Sequence, residues 1–139
     1  MSVPKFLFKG KTFDHPELYK WVNNSAQHDS QLTTYGIDTS QMQLLVLHVY
    51  WRQSTRFSSG AVYAFGSNIE SVDGPAIAPV SVAGNGSLSG SQVTLANQND
   101  GDVLITYKDM PRWVKPYAGL SGVASMVGDF RVAAFGWLT

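Results

Sequence analysis

From residue 42 onward, apolar and polar positions alternate in short runs broken by Gly, Pro, Asn and Ser. That is the pattern of strands joined by turns. Val103, Ile105 and Tyr107 alternate with Asp102, Thr106 and Lys108, and Val93 and Leu95 with Gln92 and Thr94. Each set predicts a strand with one face in a core, because successive side chains point to opposite sides of a sheet. Leu44 through Trp51 is different, being apolar at both parities. It predicts a central strand covered on both faces, by the protein itself or by an interface. Residues 54–60 predict a turn, 61–65 a returning strand and 67–75 a loop. Residues 76–83 predict a strand that Pro79 places at an edge or in a bulge, since proline donates no ladder bond. Gly84-Asn85-Gly86 and 97–101 predict turns. Residues 109–122, with two prolines, predict a loop, and 130–138 the last strand.

The N-terminal third follows another pattern. Residues 3–8 predict a short strand with Phe6 and Phe8 on one face. Asp14 as N-cap, Pro16 in the first turn and Glu17 three residues after the cap predict one or two helical turns over 15–22. Leu18, Trp21 and Val22 would then share a face. Residues 23–40 show no sustained period and predict a loop or arm, with a short strand at 31–35. Six to eight short strands with regular turn signals and no internal repeat predict an all-β fold. The expectation is one domain over 1–139: a single antiparallel β-sandwich, jelly-roll-like, with a short N-terminal helical turn. Residues 1–41 form the arm-like segment and 42–139 the strand-rich core.

Composition narrows the surface chemistry. Of 139 residues, 44% are hydrophobic and 14% charged, against about 25% charged in ordinary soluble domains. The polar remainder is Ser, Thr, Asn, Gln and Gly, a surface suited to neutral partners and close packing. Ten basic residues balance ten acidic ones, so no net field draws nucleic acid or anionic lipid. Between Arg56 and Lys108 the only charges are Glu70, Asp73, Asp100 and Asp102. The absence of cysteine excludes disulfides and thiolate chemistry. Residues 1–13 carry no apolar run of signal-peptide length, and no stretch reaches the ~20 apolar residues of a membrane span. A soluble protein, not conventionally exported, is expected.

Ser89-Gly90-Ser91-Gln92-Val93-Thr94-Leu95, followed by Gly101-Asp102-Val103-Leu104-Ile105, resembles the late strands of complement/tumour-necrosis-factor-like heads. Phe135-Gly136-Trp137-Leu138 stands where that family has its closing aromatic strand. The gap from Leu95 to Gly101 is longer than the family's. The stretch from Tyr107 through Trp113 to Tyr117 is similar to the aromatic segment before the final strand of small-virus capsid jelly rolls. These resemblances imply a jelly roll that associates around an axis, a trimer favoured, as a virion or fibre component or a binding head. Neither family brings catalytic residues.

Candidate chemistry is sparse. His28-Asp29-Ser30 and Asp14-His15 contain triad ingredients, but neighbours on an extended chain point apart, and no G-x-S-x-G turn is present. His15, His28 and His48 lack metal-ligand spacing. His48 shares parity with Leu44, Val46 and Tyr50, which predicts a core histidine bonded to a carbonyl. Gly84-x-Gly86 lacks the lysine and helix of a phosphate site.

The leading site is residues 108–117, where Arg112 and Lys115 alternate with Trp113 and Tyr117. Trp, Tyr and Arg are the side chains enriched at interface hot spots. Trp113 is expected either to contact a partner or ligand, or to plug the open end of the sandwich. A second cluster joins Trp51, in the core, to Arg52 at the rim, with Arg56 nearby. The expected function is non-enzymatic: a structural or adhesive virion-type protein that self-assembles, without cofactor, metal, nucleic acid or membrane span. Its further partners would be a cell-surface glycan or another virion protein. The alternatives are a carbohydrate-binding lectin in the cytoplasm or secreted non-classically and, more distantly, a hydrolase.

Overall fold

A computed structural model describes residues 12–22, 25–28, 34–55, 57–122 and 127–138. The strands are β1 (Thr12–Val22), β2 (Ser25–His28), β3 (Ile37–Asp38), β4 (Met42–Thr55), β5 (Ser59–Ser67) and β6 (Ala76–Ile77). They continue as β7 (Ser81–Gly84), β8 (Gly86–Ser89), β9 (Gln92–Leu95), β10 (Asp100–Lys108), β11 (Trp113–Ser121) and β12 (Val127–Leu138). Sheet A runs β2-β1-β12-β4-β10-β7 and sheet B runs β3-β11-β5-β9-β8, with β6 on β5. All pairings are antiparallel, and four are nested: β1 with β12, β3 with β11, β4 with β10, β5 with β9. Nested pairing across two packed sheets is the jelly-roll arrangement.

The core lies between the sheets and follows strand parity. Leu45, Leu47, Val49 and Trp51 of β4 meet Val62 and Ala64 of β5, Val93 and Leu95 of β9, and Val114 of β11 within one buried cluster. Val103, Ile105, Tyr107, Phe130 and Val132 complete the sheet A side. Trp51, Phe57 and Phe130 form an aromatic nest, with centroids 5.7 and 6.2 Å from Trp51. The Trp51 Nε1–H donates to the Gln98 carbonyl at 3.0 Å, so the buried indole keeps its hydrogen bond.

Several expectations change. The helical turn over 15–22 is part of strand β1, paired along β12. Between His15 and Tyr19 the β1 register advances four residues while β12 advances two, from Ala134 to Val132. This bulge takes up Pro16, which has no N–H to offer a ladder, and leaves Leu18 buried beside a half-buried Tyr19. Tyr19 meets Phe130 edge-on at 5.9 Å. Pairing with β12 outweighs the local capping signal.

The segment expected as an arm therefore supplies β1 and β2 to sheet A and β3 to sheet B. Residues 3–8 lie outside the described residues, as does most of 31–35, of which Thr34 and Tyr35 form a helical turn.

Residues 113–121, expected as loop, form β11, between β3 and β5 in sheet B. Val114, Pro116, Ala118 and Leu120 face inward, opposite Gly66, Ala64, Val62 and Gly60. Among the described residues β11 borders β3 only at Trp113 and Val114, so no described strand pairs with that edge at Pro116, where proline is tolerated. The break at Pro79 is larger than an edge bulge: β6 pairs in sheet B and β7 in sheet A. No helix among the described residues is long and apolar enough to cross a membrane.

Candidate functional site

The two outer faces of the sandwich differ in chemistry. On sheet B, outward parity places Trp113, Lys115, Tyr117, Gly119 and Ser121 of β11 beside Ser67, Phe65, Tyr63, Ala61 and Ser59 of β5. Tyr63 and Tyr117 lie face to face, centroids 5.8 Å apart and planes within 8°. Phe65 meets both edge-on, at 5.4 and 5.3 Å. This three-ring platform stands half-exposed on a sheet face, outside the buried cluster. Such offset and T-shaped contacts contribute roughly 0.5–1.5 kcal/mol per pair beyond area burial.

Above the platform sits a charged end. Lys115 is 6% exposed; its stem runs beside Gly36, and its ammonium bonds Asp73 Oδ1 at 2.7 Å. A Cβ at Gly36 would come within 3.0 Å of the Lys115 stem, so the glycine makes that berth possible. Arg112 lies over the Trp113 ring at 5.1 Å and reaches Asp38 at 3.4 Å. Desolvation pushes the Asp38 carboxyl up, but the Ser40 N–H and hydroxyl, together with Arg112, hold it below its ordinary value. Trp113 is half-exposed and absent from the buried cluster, so it does not plug the sandwich.

Sheet A carries the other face. Outward parity on β4 and β12 pairs Leu44 with Trp137, Val46 with Phe135, His48 with Ala133, Tyr50 with Arg131 and Arg52 with Asp129. One end of this face is apolar, and Leu104 on β10 adds a side chain 43% exposed. The other end alternates charges, with Arg131 bonded to Glu17 and Asp129. His48 is thus an outer-face residue bonded to Asp102 at 3.2 Å, not a core histidine bonded to a carbonyl. The parity that buries Leu45, Leu47 and Val49 turns His48 outward.

Of the expected site residues, Arg112, Trp113, Lys115 and Tyr117 share the outer side of one sheet region. Arg52 stands apart on sheet A. Lys108 pairs with Leu44, at the β4 end near the turn into β11, while Arg52 pairs with Asp100 at the opposite end, roughly 26 Å along the strand. Arg56 lies outside the described residues. Tyr63, Phe65, Asp73 and Asp38 are the site residues that sequence reasoning missed. Alternation of Tyr63 and Phe65 with Val62 and Ala64 was the available signal. Among the described residues no three of His, Asp and Glu gather as a metal site.

Fold and faces together define an all-β jelly-roll sandwich with one outer face divided between an apolar and a charged end and the other largely aromatic and uncharged. No protein-family model, curated protein or solved structure matches the chain.

Proposed function

We propose that the chain is a non-enzymatic structural or adhesive protein of the virion type: a phage or small-virus capsid, fibre or receptor-binding component that assembles with copies of itself. The observation that carries this reading is the outer face of β4 and β12. Leu44, Val46, Phe135 and Trp137 keep a half-exposed apolar surface in the middle of a six-stranded sheet. Antiparallel sheets with one solvated face ordinarily make it polar. At about 4.8 Å between strands and about 3.3 Å per residue, β4 and β12 offer roughly 350 Å², and the flanking β1 and β10 bring the face to roughly 700 Å². A standard interface takes about 800 Å² from each partner. The mixed charges of Glu17, Arg131, Asp129 and Arg52 at one end suit a copy of the same surface, because each sign finds its opposite.

Light scattering behind size exclusion tests this. The expected mass is a small multiple of the 139-residue chain, a trimer favoured, and Phe135→Ser with Leu104→Ser should shift it to the single-chain value. A wild-type monomer at micromolar concentration would count against assembly. It would favour the second reading, a carbohydrate-binding lectin, which the Tyr63, Phe65 and Tyr117 platform supports.

A further inference from the structure

We propose that the outer face of sheet B holds a neutral pyranose sugar, seated on Gly119 and Ala61 against the Tyr63 and Tyr117 rings. This gives the carbohydrate reading a position and a ligand class, and it is independent of assembly through sheet A.

Beside the platform the surface steps down. Gly119 and Ala61 are directly opposite each other on β11 and β5, next in outward parity after Tyr117 and Tyr63. A Cβ placed on Gly119 would meet nothing within 4 Å, so the space above it is open. Thr94 pairs with Ala61 on the far side and is exposed, and Gln92 shares its parity and exposure. The result is a shallow trough with an aromatic wall, a floor without side-chain bulk, and a hydroxyl and an amide along the opposite rim.

Charge selects the ligand. β5, β8 and β9 carry no charged residue, and the one charge on β11, Lys115, is neutralised by Asp73. Among the described residues an anionic sugar or phosphate finds no free cation in this trough. A purely apolar partner would leave Thr94 and Gln92 desolvated without hydrogen bonds, which costs about 1–3 kcal/mol per group. A neutral pyranose satisfies both sides: its C–H face lies on an aromatic ring, and its hydroxyls exchange bonds with Thr94 and Gln92. Aromatic surfaces with a few placed polar groups are the usual composition of small-molecule sites.

The test is affinity electrophoresis of the full chain in native gels containing a neutral glucan, mannan or galactan. A printed panel of neutral and sialylated oligosaccharides accompanies it. At least one neutral glycan should retard the wild type. Gly119→Val should weaken that binding tenfold or more with an unchanged melting curve, because the position is open and its backbone is not left-handed. Tyr117→Ala should weaken binding at least as much, with a lowered melting curve from its lost contacts with Tyr63 and Phe65. Val80→Ser, at an exposed position beside the edge strand β7 of the other sheet, should bind as wild type does. If the wild type binds a neutral glycan and Gly119→Val binds it equally well, the trough is not the site although the carbohydrate reading stands. If the wild type binds no neutral glycan, or only sialylated ones, both the site and that reading are overturned.

Discussion

Trp51 and Gly101 stand directly opposite each other on β4 and β10, and the indole occupies the space a side chain at 101 would need. A Cβ there would lie 2.5 Å from Cζ2 of the ring. Gly101→Ala is therefore expected to push Trp51 off the Gln98 carbonyl and against Phe57 and Phe130. Overpacking of this kind costs about 1–3 kcal/mol. Urea unfolding at constant m-value measures it, and a variant within a few tenths of wild type would show that the indole moves freely.

Trp113 lies outside the core under Arg112, so Trp113→Ala should lower stability by about 1 kcal/mol, mainly the lost stacking on the guanidinium. A core tryptophan would cost about 3–5 kcal/mol. The midpoint of thermal unfolding separates the two. A loss in the larger range would place Trp113 in the core after all.

Lys115 and Asp73 are unequal partners, with side chains 8% and 51% exposed. Asp73→Asn strands a buried ammonium and should cost roughly 1–3 kcal/mol, below the ~3–5 of a fully buried pair because Asp73 is itself wet. Lys115→Met keeps the stem beside Gly36 and removes the charge, so it should stay within about 1 kcal/mol of wild type. Chemical denaturation of both variants is the check; the reverse order would mean the charge itself holds the loop.

The Tyr107 hydroxyl is buried with no hydrogen-bond partner among the described residues, and burial pushes its ionisation well above the ordinary tyrosine range. Burial raises Tyr19 in the same direction. A group whose folded value is raised adds stability at pH below its unfolded value, and that stability drains as pH climbs past about 10. Tyr107→Phe should thus unfold at higher pH than wild type, while at neutral pH its stability is equal or up to about 1 kcal/mol greater. Phenolate absorbance and circular dichroism followed through one alkaline titration report both effects. An alkaline midpoint that did not move would remove Tyr107 from the explanation.

How much of this was legible in the chain depends on which signal each strand carries. β10 and β9 show clean period-2 alternation, and β4 its doubled apolar pattern, so all three could be read directly. β1 could not, because its bulge presents Leu18 and Tyr19 side by side, and the Asp14-Pro16-Glu17 run imitates a helix start. β11 was hidden by Pro111 and Pro116, although its alternation of Val114, Ala118 and Leu120 with Lys115 and Tyr117 was present. The loop candidates Arg112 to Tyr117 do lie together. Their aromatic partners Tyr63 and Phe65 are some fifty residues earlier, and only the antiparallel register of β5 and β11 brings them across. Arg52 was joined to a site by composition, and strand length separates it again.

Nested pairing also sets the order of events when the chain folds. β4 must wait for β10 and then for β12 before either edge is satisfied; Leu44 pairs with Lys108 and Trp137, both far along the chain. Among the pairings, only β8–β9, across Gly90 and Ser91, and β1–β2, across the two residues between Val22 and Ser25, close over so short a connection. Loop closure is thus met before most contacts repay it, which puts such topologies in the millisecond-to-second range. Until β12 arrives, a strand apolar on both faces stands with open edges, the form most prone to pair with another molecule. Dilute refolding should therefore outyield concentrated refolding, with losses relieved by Val46→Thr on the outward face of β4.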